Sequence, residues 1–307
     1  MTERPGEAHA GSLDVVADQL AVVAEQLPDA LGDRPLGAFT QFVVAGLRDA
    51  MAETAAAITV AVSTSDALSA ALRRGDAAPG GQAVDGPPTE LTALVAVAEA
   101  VRQKTWLADA VGADHVLPGT AVPLSGMDVA GLGWLTPFVS FLAEPLNQLR
   151  GNPAPVTEAA LEFERAAADV AAAAATYRRA TAHPHSGFAD GLTVLAGSGT
   201  VLADALTGAA DAAARVVRAV TWIVAEAVAA IVPIMVEAIA RASATLGQSV
   251  AAAIPRCVAI AVTAGERTAD RLTALLASGQ DLLELVGAAM AVTRTARQAF
   301  EEIGSMP

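Results

Sequence analysis

From Asp190 to about Ile303 the chain reads as near-continuous helix, and no other feature limits its possible folds as much. Alanine, valine, leucine and isoleucine dominate this stretch. Gly197, Gly199, Pro233, Gly247, Pro255, Gly265 and Gly279 punctuate it. Proline lacks an amide donor and kinks a helix interior. The stretch is therefore expected to divide into three or four helices, with a kink or break near Pro233 and another near Gly247 or Pro255.

The rest of the chain points the same way. Hydrophobic residues make up 53% and aromatics only 4%. Alanine, much of that apolar share, is the best helix former because it loses no side-chain entropy. No alternating apolar/polar run bounded by Asn-Gly or Asp-Gly turns suggests a strand. Residues 1–11 are polar and read as disordered, with Ser12 placed to cap a helix and Asp14 in its first turn. Leu13, Val16, Leu20, Val23 and Leu27 then recur at alternating spacings of three and four, a narrow stripe like a coiled-coil seam. It is a candidate surface for a partner's helix. Pro28 and Gly32-Asp33-Arg34-Pro35 break it, and a second helix is expected from about Phe39 to Arg73. So short a connection makes an antiparallel hairpin.

Residues 74–88, RGDAAPGGQAVDGPP, have no periodicity and read as a linker. A third helix is expected from Thr89 to about Val111. A second hairpin follows: a first helix bearing Trp134, Phe138, Phe141, Leu142, Leu146 and Leu149, a turn at Gly151-Asn152-Pro153, and a second helix over about 155–180. Phe163, Val170 and Tyr177 fall one heptad apart in that second helix. Pro137 and Pro145 make the first helix short or bent. The predicted fold is all-α: tandem antiparallel helical hairpins followed by a long-helix bundle. Its segments are an N-terminal hairpin (12–73), a linker (74–88), a helix plus hairpin (89–181) and a C-terminal bundle (190–304).

The formal net charge is −14. That argues against nucleic acid, whose binding relies on releasing phosphate counterions, and against anionic membrane surfaces. Cys257 is the only cysteine, so no intrachain disulfide forms. The N-terminus MTERPGEAHAGS has no apolar core after a basic start, so no secretory signal peptide of the general pathway is expected. Residues 219–236, AVTWIVAEAVAAIVPIMV, carry only Glu226. Their expected place is a fully buried helix of a soluble bundle. The alternative is a segment within 219–263 that enters a membrane, since about 20 mainly apolar residues suffice to span one.

No catalytic, cofactor or metal constellation emerges. His183-Pro184-His185 has no further ligand nearby, and zinc needs three or four. Gly197-Ser198-Gly199-Thr200 lacks the lysine and spacing of a phosphate loop and reads as a point of close helix approach. Cys257 sits beside Arg256 but among apolar residues, so an inert buried thiol is expected. Glu162, Glu164, Glu301 and Glu302 read as solvated faces. Trp134 and Trp222 read as core.

The segment Gly133–Tyr177, GWLTPFVSFLAEPLNQLRGNPAPVTEAALEFERAAADVAAAAATY, resembles the WXG100-like domain of actinobacterial proteins exported by type VII (ESX) secretion. The likeness is carried by Trp134, the turn Leu149-Arg150-Gly151-Asn152-Pro153 and the Ala/Glu-rich second helix. The region RVVRAVTWIVAEAVAAIVPIMVEAIARA resembles the part that follows this domain in polymorphic toxins. It is also similar to the N-terminal region of the mycobacterial outer-membrane channel/necrotizing-toxin protein. Residues 12–73 more loosely resemble small ESX secretion-associated proteins. The resemblance implies a non-catalytic substrate or accessory factor of type VII secretion. Its partner would be another helical-hairpin protein or a secretion component. It would be cytoplasmic before export, then secreted or held at the cell envelope. The family's Tyr-x-x-x-Asp/Glu export signal is not met, because Thr181 stands fourth after Tyr177. The signal then belongs to a partner, or the protein stays inside the cell.

Overall fold

The computed structural model of the chain describes residues 5–27, 38–74, 96, 127–128, 130–142, 144–145, 154–180 and 186–305. No strand occurs among them, so the chain is all-α as expected. Its helices are α1 (Pro5–Gln26), α2 (Ala38–Arg74), the one-turn α3 (Thr136–Val139), α4 (Ala154–Ala180), α5 (Ser186–Ala240) and α6 (Gln248–Gly304). Short 3₁₀ turns, Gly133–Leu135 and Ser140–Leu142, flank α3.

The C-terminal region forms two helices rather than three or four. Pro233 and Pro255 both lie inside them. Each proline leaves one carbonyl without its amide partner, that of Ala229 or Ala251. Both prolines and both alanines are exposed, so water can satisfy those carbonyls and the helices run on. The single break is the turn at 241–247. There Gly247 takes the left-handed conformation (φ 84°) and its amide donates to the carbonyl of Ala242 at 2.8 Å. The Ser249 hydroxyl donates to the Ala238 carbonyl at 2.7 Å, tying the two helix ends together.

Helices α5 and α6 pack antiparallel along their length. Gly191 lies under the Phe300 ring, and Ser198 bonds Thr293. Arg267 reaches Glu226 at 2.7 Å. Helix α4 lies antiparallel on the first half of α5, with Gly199 against Ala167 and Arg178 bonded to Asp190 at 3.1 Å. Helix α2 runs parallel to the second half of α6. Gly46 meets Leu283, Glu53 pairs with Arg297 at 2.8 Å, and the Thr64 hydroxyl donates to the Phe300 carbonyl at 2.9 Å.

Helix α1 closes the bundle between α2 and α4. It forms the expected antiparallel hairpin with α2, fastened by buried hydroxyls: Ser65 donates to the Leu13 carbonyl at 2.8 Å, and Ser69 to the Asp14 carboxylate at 2.6 Å. Arg73 also pairs with Asp14. The helix begins at Pro5, not at Ser12, and Pro suits a first turn because its missing amide would be unpaired there anyway. Ser12 lies inside the helix and donates to the His9 carbonyl at 2.7 Å.

Of the expected linker (74–88), Arg74 ends α2 and the rest lies outside the described residues, as do most of the expected third helix (89–111) and the turn Gly151-Asn152-Pro153. The stretch from Trp134 was expected to begin a helix pairing with residues 155–180. Over 133–142 it is instead a run of short turns, consistent with Pro137, and it sits against α6: Phe141 lies 3.2 Å from where a Cβ on Gly265 would fall. The antiparallel neighbour of α4 is α5. Helix α1 packs on α4, and one contiguous core runs through the five long helices described.

At the closed end of the bundle Tyr177, Phe188 and Phe300 stack edge-on in sequence, with ring centroids 5.2 and 5.6 Å apart, and His9 lies 5.7 Å from Tyr177. Phe300 is fully buried where α2, α5 and α6 meet. Phe300→Ala is expected to lower the unfolding free energy by about 3–5 kcal/mol. Leu276→Ala, at a site 48% exposed, should stay within about 1 kcal/mol. Denaturant titration followed by far-ultraviolet circular dichroism measures both.

Candidate interaction surface

The register of the helices decides which surfaces are left uncovered. With Ala167 against Gly199, the start of α4 at Ala154 falls opposite about residue 212 of α5. With Gly46 against Leu283, the start of α2 at Ala38 falls opposite about residue 275 of α6. Beyond those points α5 and α6 continue as a pair to the turn at 241–247. This arm has about 25 residues in each helix, on the order of 38 Å long. Among the described residues, the 133–142 segment is what meets it, at Gly265.

The arm is held by a seam of small and aliphatic side chains. Val224, Ala227, Ile231, Met235 and Ala238 of α5 are buried against Ala253, Cys257, Ala261, Ala264 and Thr268 of α6. Spacings of three and four place each set on one helix stripe. Two helices cover only the stripes facing each other. Residues 219–236 are therefore not the fully buried helix expected from their composition: Ala229, Ala230 and Pro233 are exposed and Val236 is 49% exposed, as is Ile239 just beyond them at 44%. By length and apolarity α5, α6 and the 43–74 part of α2 each suffice to cross a membrane.

The two sides of the arm differ. On one side a shallow cleft of about 340 Å³ is lined by Ile223, Ala230, Ile260 and Thr263, with the Glu226–Arg267 pair at its rim. Arg267 also lies 5.4 Å from the centre of the Trp222 ring. Glu226 is thus neutralised across the helix pair, although both side chains are nearly half exposed, so the net contribution is small. On the other side Val232, Val236 and Ile239 align at helical spacing beside Ile254, Val258 and Val262, and no charged residue interrupts them. At the tip Leu246 is 93% exposed and holds φ 52°, a left-handed conformation that costs a residue with a Cβ about 1 kcal/mol.

The residues singled out from sequence are distributed differently. Leu13, Val16, Leu20, Val23 and Leu27 are buried, at 0–2% exposure, inside this chain's own bundle. That stripe is not open to a partner, because α2 and α4 already cover it. Trp134 is 45% exposed, not core, because it sits on a 3₁₀ turn rather than on an inward helix face. Trp222 is half-buried. Tyr177 is buried at the closed end, and Phe163 and Val170 are buried with it along α4. Gly199 marks the close helix approach expected of it.

Cys257 is buried in the arm's seam, and burial raises its pKa against the opposing pull of Arg256. A thiol so held is a poor nucleophile. Among the described residues no group of three or more His, Cys, Asp or Glu side chains is placed to hold a metal. His183 and His185 lie outside them. Periodicity missed the ion triad of Glu53 with Arg294 and Arg297, since its members lie more than 240 residues apart in sequence.

No known protein family matches the sequence, no curated protein is similar to it, and no solved structure matches its fold.

One titratable group is tied to the packing. The Nε2 of His9 is buried with no hydrogen-bond partner, and burial lowers the imidazole pKa. Between that lowered value and the ordinary 6.5 the unfolded chain binds the proton more readily than the folded one. His9 thus leaves stability intact above 6.5 and erodes it as the pH falls below that value. Wild type should lose more melting temperature than His9→Phe between pH 7 and pH 5, measured by circular dichroism in matched buffers.

Proposed function

We propose that this protein is a non-catalytic factor of type VII (ESX) secretion, a substrate or accessory protein that works by helix-on-helix association. The observation that carries the association is the arm: a helix pair leaving the bundle with one side apolar and, from Gly265 to the tip, uncharged. Solvating such a side is unfavourable, and contiguous exposed apolar surface marks interaction sites. The N-terminal stripe has its partners within the chain, so the arm takes over the role that sequence periodicity assigned to that stripe.

The secretion setting rests on the resemblance of Gly133–Tyr177 to WXG100-like domains. The partner under this reading is a helical-hairpin protein of that type or a component of the secretion machinery. The groups on the Glu226–Arg267 side of the arm provide orientation, since charged rims set specificity more than affinity.

A second reading, a membrane-active protein, draws on one specific observation. The Glu226 carboxylate, the only charge in residues 219–236, is already paired with Arg267, which lowers the cost of bringing it into lipid. Against it stand the alanine content of the arm and the net charge of −14, which repels anionic leaflets.

Affinity purification of the full chain from its native host, with mass spectrometry, tests the first reading. A WXG100-type protein or a secretion component should co-purify stoichiometrically and be lost from a variant lacking residues 216–274. Recovery of neither removes the type VII reading. Flotation with vesicles of neutral and anionic lipid tests the second, and protein remaining at the bottom of the gradient at both pH 7 and pH 5 excludes it.

A further inference from the structure

The uncharged side of the arm has a size, a composition and a charge pattern that narrow its occupant. Val232, Val236, Ile239, Ile254, Val258 and Val262 form two parallel rows along it, all at least partly exposed. Alanines lie between them: Ala229 and Ala251 are exposed on the same side. Aliphatic ridges separated by alanine gaps are the surface that packs ridge into groove on another helix pair. Alanine contributes little to insertion into hydrocarbon, where apolar area is the driving force, but it lets backbones approach closely.

The segment carrying Phe141 already packs helical turns onto this side at Gly265, so an intramolecular interface continues directly into the open part. The open part from Gly265 to the tip is roughly 25 Å long, and a helix-pair width of roughly 20 Å gives about 500 Å² per copy. Two such faces together bury about 1,000 Å², the lower bound for a specific protein pair.

Charge decides between a different protein and a second copy. At −14 the chain repels another copy wherever its acidic surface faces it. A basic partner would be drawn to carboxylates, and this side offers none. From Gly265 to the tip the nearby charges (Glu226, Glu237, Arg241, Arg256, Glu266 and Arg267) lie off it by helical spacing, and Arg218, which shares the stripe of Val236, stands nearer the bundle. An apolar face from which charge is withheld fits an identical face, and a two-fold contact is self-complementary by construction.

We propose that the uncharged side of the α5–α6 arm is a self-association surface, on which two copies join their arms into a four-helix bundle. The inference rests on reading the arm as an association surface and is independent of the type VII setting. It leaves the Glu226–Arg267 side of each arm facing outward for a different protein.

Sedimentation equilibrium of the purified full chain, from low to high micromolar concentration, tests the proposal. Wild type should reach the mass of a dimer. Val236→Glu and Val262→Glu each place an unpaired charge in the contact, and each should raise the dimer dissociation constant about a hundredfold or more. Both positions are nearly half exposed, so helicity and melting temperature should be unchanged. An equimolar mixture of Val262→Glu and Val262→Lys should regain part of the dimer. A wild-type chain that stays monomeric throughout overturns the proposal, and so does a dimer insensitive to both glutamate variants. A monomer that binds neutral vesicles through the same two valines overturns it in favour of lipid. Co-purification of a secretion component bears on none of these outcomes, so the two readings fail separately.

Discussion

The antiparallel pairing of α5 with α6 is the contact on which every other one depends. Each of these helices is longer than any other among the described residues. Each presents one helix to a neighbour over half its length: α4 lies on the first half of α5, and α2 on the second half of α6. Helix α1 then fills the gap that α2 and α4 leave. Its seam mixes alanine with larger aliphatic side chains and a few hydroxyls, and where the Phe300 ring crosses it Gly191 leaves room. Small side chains set between large ones let the ridges of one helix settle into the gaps of the other. The prolines at 233 and 255 are tolerated because both lie on outward faces, where water replaces the lost donors.

Because the covering helices are shorter than the pair they cover, the molecule has two unlike ends. At the closed end aromatic rings and buried hydroxyls are packed among the five long helices, and the Glu53–Arg294–Arg297 triad ties α2 to α6 at the surface. Toward the turn at 241–247 the same two helices have only each other and the short 133–142 segment among the described residues. Their outward apolar residues are then a consequence of geometry: a pair of helices buries one stripe of each and no more. A sequence this apolar, extended beyond its covering helices, supports association as the working principle of the protein. The arrangement of charge on one side of the arm then gives association a direction.

Much of the architecture was readable from the chain, and the errors have particular causes. The 3–4 spacing from Leu13 to Leu27 located a buried helix face correctly, but not that this chain covers it. Phe163, Val170 and Tyr177 at heptad spacing all proved to be core. The residues around Trp134 were harder: apolar and bounded by a turn signal, they fitted a helix, yet Pro137 lies within a run of short turns. Pro233 misled in the opposite sense, because the cost of a proline inside a helix depends on whether its orphaned carbonyl meets water, which no local pattern reveals. The exposed side of the arm left the weakest signal, since residues 219–236 look alike whether two helices or five surround them.

What the sequence determined alone is the all-α class, the faces of α1 and α4 that turn inward, and a break near Gly247 or Pro255. These follow from local physics: alanine's helical preference, the 3.6-residue period, and glycine's access to positive φ. What only the tertiary structure decided is which faces are covered and by what. The parallel run of α2 along α6, the ion triad around Glu53 and the open arm all depend on relative helix length and register. Stripes of alanine, valine and leucine fit one another nearly equally well, so periodicity can say that a face seeks a partner but not which partner it finds.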